Sequence, residues 1–264
     1  QRQMCIRDSF NSPFIIGNKD ITINGLIWMG DYERMISQIE DKLAAGFKCI
    51  KLKIGAIDWG KEIGMIEFIR QRYDSDKIEI RVDANGGFTM DNALARLRHL
   101  ADLDVHSIEQ PIKAGNPQLM RFLCDVSPIP IALDEELIGK FTPESKAETL
   151  DSIKPAYIVI KPSLEGGFSG AGEWIRLADE RNIGWWITSS LESNIGLNAL
   201  SQWVATLNQK RPQGLGTGAL FTNNIPSPIY TDGEKLKYNP DASLDRDVIC
   251  LLYTSPSPRD RSVS

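Results

Sequence analysis

The sequence is poor in the residues that mark redox, zinc or histidine-dependent sites. Two histidines, His99 and His106, occur in 264 residues, which argues against His-based acid–base chemistry. Of the four cysteines, Cys5 and Cys250 fall in the end segments, and Cys49 and Cys124 sit in apolar surroundings. None is paired at metal or redox spacing, so a reducing cytoplasm is the expected setting. No apolar run approaches the ~18–20 residues needed to cross a bilayer, so no membrane partner is expected. Thirty Lys and Arg stand against 35 Asp and Glu, a formal net charge of -5. That mild acidity excludes the basic footprint of a nucleic-acid-binding surface.

What is present is a globular composition, 42% hydrophobic and 25% charged, which excludes collagen, a disordered tail and a disulfide scaffold. The length allows one large barrel or two small domains. Residues 1–9 and 249–264 lack apolar periodicity and read as non-native or disordered, the ends of a chain whose natural form is longer. Between them, short β-rich runs alternate with helical patterns, the signature of a parallel α/β fold. The expected strands are Ile23–Trp28, Cys49–Lys53, Glu79–Asp83, Val105–Glu109, Ile129–Asp134, Tyr157–Lys161 and Gly184–Thr188, with Gly214-Leu215-Gly216 as a weak eighth. Intervening segments carry apolar residues at helical spacing, such as Ile63, Ile66, Ile69 and Tyr73, Leu94, Leu97 and Leu100, and Leu200, Trp203, Val204 and Leu207. Asp31, Asn116–Pro117 and Thr142–Pro143 mark helix starts. The rhythm predicts a closed barrel spanning 10–221. An open doubly wound sheet is the alternative, but GLIWMGD after the first strand is no phosphate loop. Asp232-Gly233 predicts a hairpin within 222–248, outside the barrel rhythm.

The informative feature is where the charges fall. Side chains alternate faces along a strand, so Lys51 and Lys53 share one face of CIKLKI while Ile50, Leu52 and Ile54 share the other. An edge strand with a solvated face would account for one such strand. The following strands repeat the pattern, ending in Asp83, Glu109, Asp134 and Lys161. Charges gathered at strand ends, where barrels place catalytic groups, point to one site. Three carboxylates on neighbouring strands repel unless a cation joins them, and all-oxygen ligation points to a hard ion, Mg²⁺. Lys53 precedes the acidic strands and Lys161 follows them, so the two approach a substrate from opposite sides. A lysine works as a base only when its neutral form is favoured, and positive charge from Lys51 favours it at Lys53.

The KLK strand with VDANGG, SIEQP, ALDEE and VIKPSLEGG resembles the metal-binding barrel of the enolase superfamily, in its muconate-lactonizing-enzyme-like subgroup. More narrowly, the set is similar to the o-succinylbenzoate synthases of menaquinone biosynthesis, from about Asn24 to Phe221. The resemblance implies a modified TIM barrel, (β/α)7β, with Mg²⁺ on Asp83, Glu109 and Asp134. It implies that Lys53 takes an α-proton and returns it to the departing hydroxyl in a syn elimination of water. Lys161 would face the ring system as a cation, and Lys51 would support the charge. Asn85, Ser189, Ser190, Ser193 and Gly216 are the expected contacts to a small carboxylate substrate, with Gly86 lining the site. Ser193 or Asn194 is equally a helix cap, and Glu135 equally a loop acid. An N-acylamino acid racemase shares the two-lysine arrangement. Dipeptide epimerases carry a paired aspartate where GLGTG has none, and a His–Asp base is missing. Family members place a capping domain before the barrel, and a first strand near Ile23 leaves no room for one. Residues 222–248 would be its returning remnant. A barrel that binds Mg²⁺ without chemistry is therefore the non-catalytic alternative.

Overall fold

The computed structural model describes residues 10–244; residues 1–9 and 245–264, on which the expectations for the two ends fall, lie outside the described residues. Seven strands form one parallel sheet in chain order: β2 (Gly25–Ile27), β3 (Cys49–Lys53), β4 (Glu79–Asp83), β5 (Ser107–Glu109), β6 (Ile131–Leu133), β7 (Tyr157–Ile160) and β8 (Gly184–Ile187). The helices between and after them are α1 (Tyr32–Ala44), α2 (Trp59–Arg70), α3 (Met90–Asp102), α4 (Pro117–Val126), α5 (Pro143–Ile153), α6 (Gly167–Asp179) and α7 (Asn194–Thr206). Among the described residues no helix is long and apolar enough to cross a membrane.

The helix starts follow the capping residues read from the sequence. Asp31 accepts from the Arg34 N–H at 2.8 Å, Asn116 from Leu119 at 3.0 Å and Thr142 from Ser145 at 3.2 Å. Pro117 and Pro143 open their helices, where a missing N–H costs nothing. Boundaries differ in places: β2, β6, β7 and β8 are shorter than their expected ranges. Val105 precedes β5 because its N–H still closes the end of α3 on the Leu100 carbonyl, with Asp104 at φ 51° between them. Tyr73 lies beyond α2 and is exposed rather than part of its apolar face.

Parity sorts the strands into two environments. Ile50, Leu52, Ile80, Val82, Ile108, Ile131, Leu133, Ile158 and Ile160 join the large core with buried helix residues such as Ile66, Leu97 and Leu150. Ala132, Val159 and Trp186, with Tyr157 against them, form a separate cluster on the opposite face. That second face also carries Lys51, Lys53, Arg81, Asp83, Ser107 and Glu109, all of one parity with it. At its N-terminal end the Arg81 guanidinium lies 4.3 Å from the Trp186 ring and binds Glu79 at 2.6 Å.

The weak eighth strand shrinks to isolated bridges. Gln213 and Gly214 bond the end of β8 and the segment leading into β2: Gly214 N–H to the Ile187 carbonyl (2.8 Å), Ser189 N–H to Gly214 (3.0 Å), Asn24 N–H to Gln213 (3.0 Å) and Gln213 N–H to Thr22 (2.9 Å). A Cβ on Gly214 would stand 2.7 Å from Thr188 Cβ, so this close passage needs glycine. A separate antiparallel sheet joins β1 (Ile21–Thr22) to the expected hairpin, β9 (Ile229–Asp232) and β10 (Lys235–Tyr238). Tyr238 packs edge-on against Phe14, with ring centroids 5.6 Å apart.

Candidate active site

Register brings the charges together. Lys53, Asp83 and Glu109 occupy one row across β3, β4 and β5, and the row below holds Lys51, Arg81 and Ser107. Asp134 lies one residue past β6 and Lys161 one past β7. Asp83, Glu109 and Asp134 are each at most 2 % exposed. Lys51 donates to Glu109 Oε2 at 2.6 Å and stands 3.1 Å from Asp83 Oδ2. Lys53 donates to Asp83 Oδ2 at 3.1 Å and to Asn85 Oδ1 at 2.6 Å. Lys161 donates to Asp134 Oδ2. Asn85, at φ 42°, returns its main-chain N–H to Asp83 Oδ1 at 3.0 Å and its amide to Glu135 Oε1 at 3.0 Å.

These pairings set the protonation of the buried groups. Burial opposes ionisation of Asp83, but Lys51 and Lys53 outweigh it and hold the carboxyl well below the usual range. Burial likewise disfavours the Lys51 ammonium, and Asp83 with Glu109 outweighs it, so Lys51 is raised and firmly cationic. Lys161 is raised in the same way, burial being overcome by Asp134 and Glu109. Glu109 goes the other way: burial, then the Asp83 charge, push it well above an ordinary carboxyl. The cluster thus sets three buried carboxyls against three lysines, and Glu109 is the acid whose charge is least compensated.

A cavity of about 240 Å³ opens over this cluster. Lys51, Lys53, Asp83, Lys161, Ser189, Ser190 and Gly216 all line it. Glu109 and Asp134 lie behind their lysines, and Asn85 reaches it through Lys53. Ser193 caps α7, its carbonyl accepting from Leu197 at 2.9 Å. Sequence reasoning missed Asn24, Trp28, Leu164 and Thr217 on the walls. Trp28 follows β2, its ring 6.0 Å from the Lys53 ammonium and its main chain clamped by Gln38 at 2.8 and 3.0 Å. Glu192 accepts from Ser163 and from Ser190 (2.9 Å) and ties together the loops after β7 and β8. Both histidines stand elsewhere: His106 stacks on Tyr157 at 5.4 Å and His99 lies near Trp59.

The donor set fits a hard cation chemically. Glu109 Oε1 and Asp134 Oδ1 are buried with no hydrogen-bond partner, and all the candidate ligands are carboxylate oxygens. As the side chains stand, each carboxylate turns an oxygen to a lysine, and among the described residues no three His, Cys, Asp or Glu side chains are grouped to hold a metal.

Residues 34–232 match the enolase C-terminal domain-like family. The chain belongs to that family. Among proteins of the enolase family, it is 54% identical over 224 residues to an o-succinylbenzoate synthase of Desulfotalea psychrophila (strain LSv54 / DSM 12343), covering 85% of this chain and 61% of that protein. The crystal structure of MenC from Desulfotalea psychrophila LSv54 superposes with a TM-score of 0.81 at 52% identity, over 88% of this chain and 64% of that one. An L-Ala-D/L-Glu epimerase of Bacillus subtilis (strain 168) is 30% identical over 176 residues, 66% of this chain and 47% of that protein. The chain therefore spans less than two thirds of the length of these enolase relatives.

Proposed function

We propose that this chain is the catalytic portion of an o-succinylbenzoate synthase, removing water from 2-succinyl-6-hydroxy-2,4-cyclohexadiene-1-carboxylate to give 2-succinylbenzoate. The observation that carries the reading is the pair Lys53 and Lys161, both lining one cavity beside three buried carboxylates. The bridges at Gln213–Gly214 support closure of the sheet as a modified (β/α)7β barrel. Residues 10–221 would be that barrel, and 222–248 a segment that packs with a capping domain.

Asp83, Glu109 and Asp134 would hold Mg²⁺, which when bound supplies positive charge where the substrate carboxylate gains electron density. Lys53 Nζ takes the proton from the carbon bearing the carboxylate. The electron pair left behind completes the ring double bond as the C–O bond breaks, and the same ammonium gives its proton to the departing hydroxyl, so water leaves from the face that Lys53 occupies. Lys161 stays protonated on the other side and offers its cation to the electron-rich ring. Lys51, held cationic by Asp83 and Glu109, balances the charge beneath. Ser189, Ser190 and Gly216 line the wall available to the succinyl group.

The test is Mg²⁺-dependent loss of the cyclohexadiene absorbance, with a chelator control and a Lys53→Ala control. It is run on this chain and on a fusion supplying the portion of the D. psychrophila synthase that the chain does not span. Chelator-sensitive turnover abolished by Lys53→Ala in either protein supports the assignment. Silence in both sinks it. A second reading, N-acylamino acid racemisation, is favoured by the same two opposed lysines, which would exchange a proton across a substrate α-carbon. N-succinyl amino acids incubated in D₂O would then gain α-deuterium.

A further inference from the structure

Glu165 takes no part in the reaction proposed above, yet it is wholly buried against a lysine that does. It lies in the turn between β7 and α6, fully inaccessible to solvent. Its Oε1 accepts from the Lys161 main-chain N–H at 3.0 Å, and its Oε2 is buried with no partner. Lys161 is the first residue past β7, so its N–H has left the strand ladder and a buried N–H needs an acceptor. A carboxyl four residues on supplies it. The turn is held tightly: Leu164 N–H reaches the Lys161 carbonyl and Gly167 N–H the Pro162 carbonyl, both at 2.8 Å, with Gly166 and Gly167 at φ +93° and +72°. A Cβ on Gly170 would run into the Glu165 carbonyl, so α6 packs directly on this turn.

We propose that Glu165 is a positioning residue for Lys161: its carboxyl anchors the Lys161 main chain and thereby fixes where the Lys161 ammonium stands in the cavity. The proposal rests on the reading of Lys161 as a site lysine. The charged groups around Glu165 are Asp134 at the end of β6, Lys161 itself and Lys146 on α5. Lys146 is already engaged by the Gly170 carbonyl (2.9 Å) and Glu173 (2.6 Å). Burial outweighs the lysines and the hydrogen bond, pushing the Glu165 carboxyl up to about 8. At neutral pH it is an uncharged acceptor. It can hold the backbone without competing with Asp134, or with a bound carboxylate, for the Lys161 ammonium.

The test compares Glu165→Gln, which keeps the acceptor oxygen, with Glu165→Leu, which removes it, and Glu165→Asp, which shortens it should the leucine variant fail to fold. Side-chain ¹⁵Nζ resonances of Lys161 and Lys53 are recorded in each. The Lys161 signal should move in the Leu and Asp variants and stay in Gln, while Lys53 stays in all. In turnover of the cyclohexadiene, kcat should fall on the order of a hundredfold in Leu with KM little changed, as for a displaced reacting group, and recover in Gln. An unmoved Lys161 signal in both Leu and Asp, or Gln behaving like Leu, overturns the proposal. If the resonances follow expectation while even the unaltered protein and its cap fusion are silent, the positioning role holds and the assigned reaction fails.

Discussion

Lys51 and Lys53 lie two residues apart on one strand and face different company. Lys51 sits between two buried carboxylates, whereas Lys53 shares Asp83 with it and reaches out to Asn85 and the Trp28 ring. Lys51→Met should therefore cost folding stability as well as rate, because it leaves Glu109 and Asp83 short of a buried partner. Lys53→Ala should abolish rate with stability nearly kept, and urea unfolding beside turnover separates the two. Glu165 gives a second residue-level prediction. The folded protein keeps its carboxyl protonated up to about 8 against an ordinary 4.5, while the unfolded chain releases that proton. Stability from this group is thus full below the ordinary value and declines as pH rises toward about 8. Asp83, held low, works with the opposite sign: its contribution is present above the ordinary range and lost on acidification. Glu165→Gln should flatten the fall in urea midpoint from acid to mildly alkaline pH. The three lysines and the buried acids Asp83, Glu109 and Asp134 were legible in the sequence because alternation assigns each a face. Glu165 was not, since it lies in a turn, where nothing in the sequence spacing says which way a side chain points.

At the scale of elements, β3 and β4 matched their expected limits because charge and aliphatic residues alternate strictly through them. The two-residue β1 could not be read, since its only ladder partner is more than two hundred residues away in β10. The eighth strand was faint for a physical reason: two residues carry its bonds, and one is a glycine chosen for clearance rather than β-propensity. Gly214→Ala should strain that passage and lower unfolding free energy by about 1–3 kcal/mol, with a loss of activity read in the same samples. By contrast Thr142→Ala removes a cap whose residue does not line the cavity. It should cost about 1 kcal/mol and leave kcat unchanged.

For the whole molecule, three carboxyls buried side by side, two of them with an oxygen lacking any partner, mean that a bound divalent cation should be felt globally. Mg²⁺ at about a hundred times its dissociation constant would add about 2.7 kcal/mol, raising Tm by about 5–10 °C. Glu109→Gln should abolish the shift, and a scan with and without chelator checks it. Calcium of equal charge, preferring more ligands at longer distances, should stabilise without supporting turnover. One further consequence follows from the packing of Arg81, Trp186 and Tyr157 across the N-terminal end of the strands. With the sheet closed as proposed, that packing would make the cavity a cul-de-sac. Whatever enters would then back out the way it came: in the proposed reaction the aromatic product and the water made with it would queue at one doorway, and added product should slow turnover by occupying it.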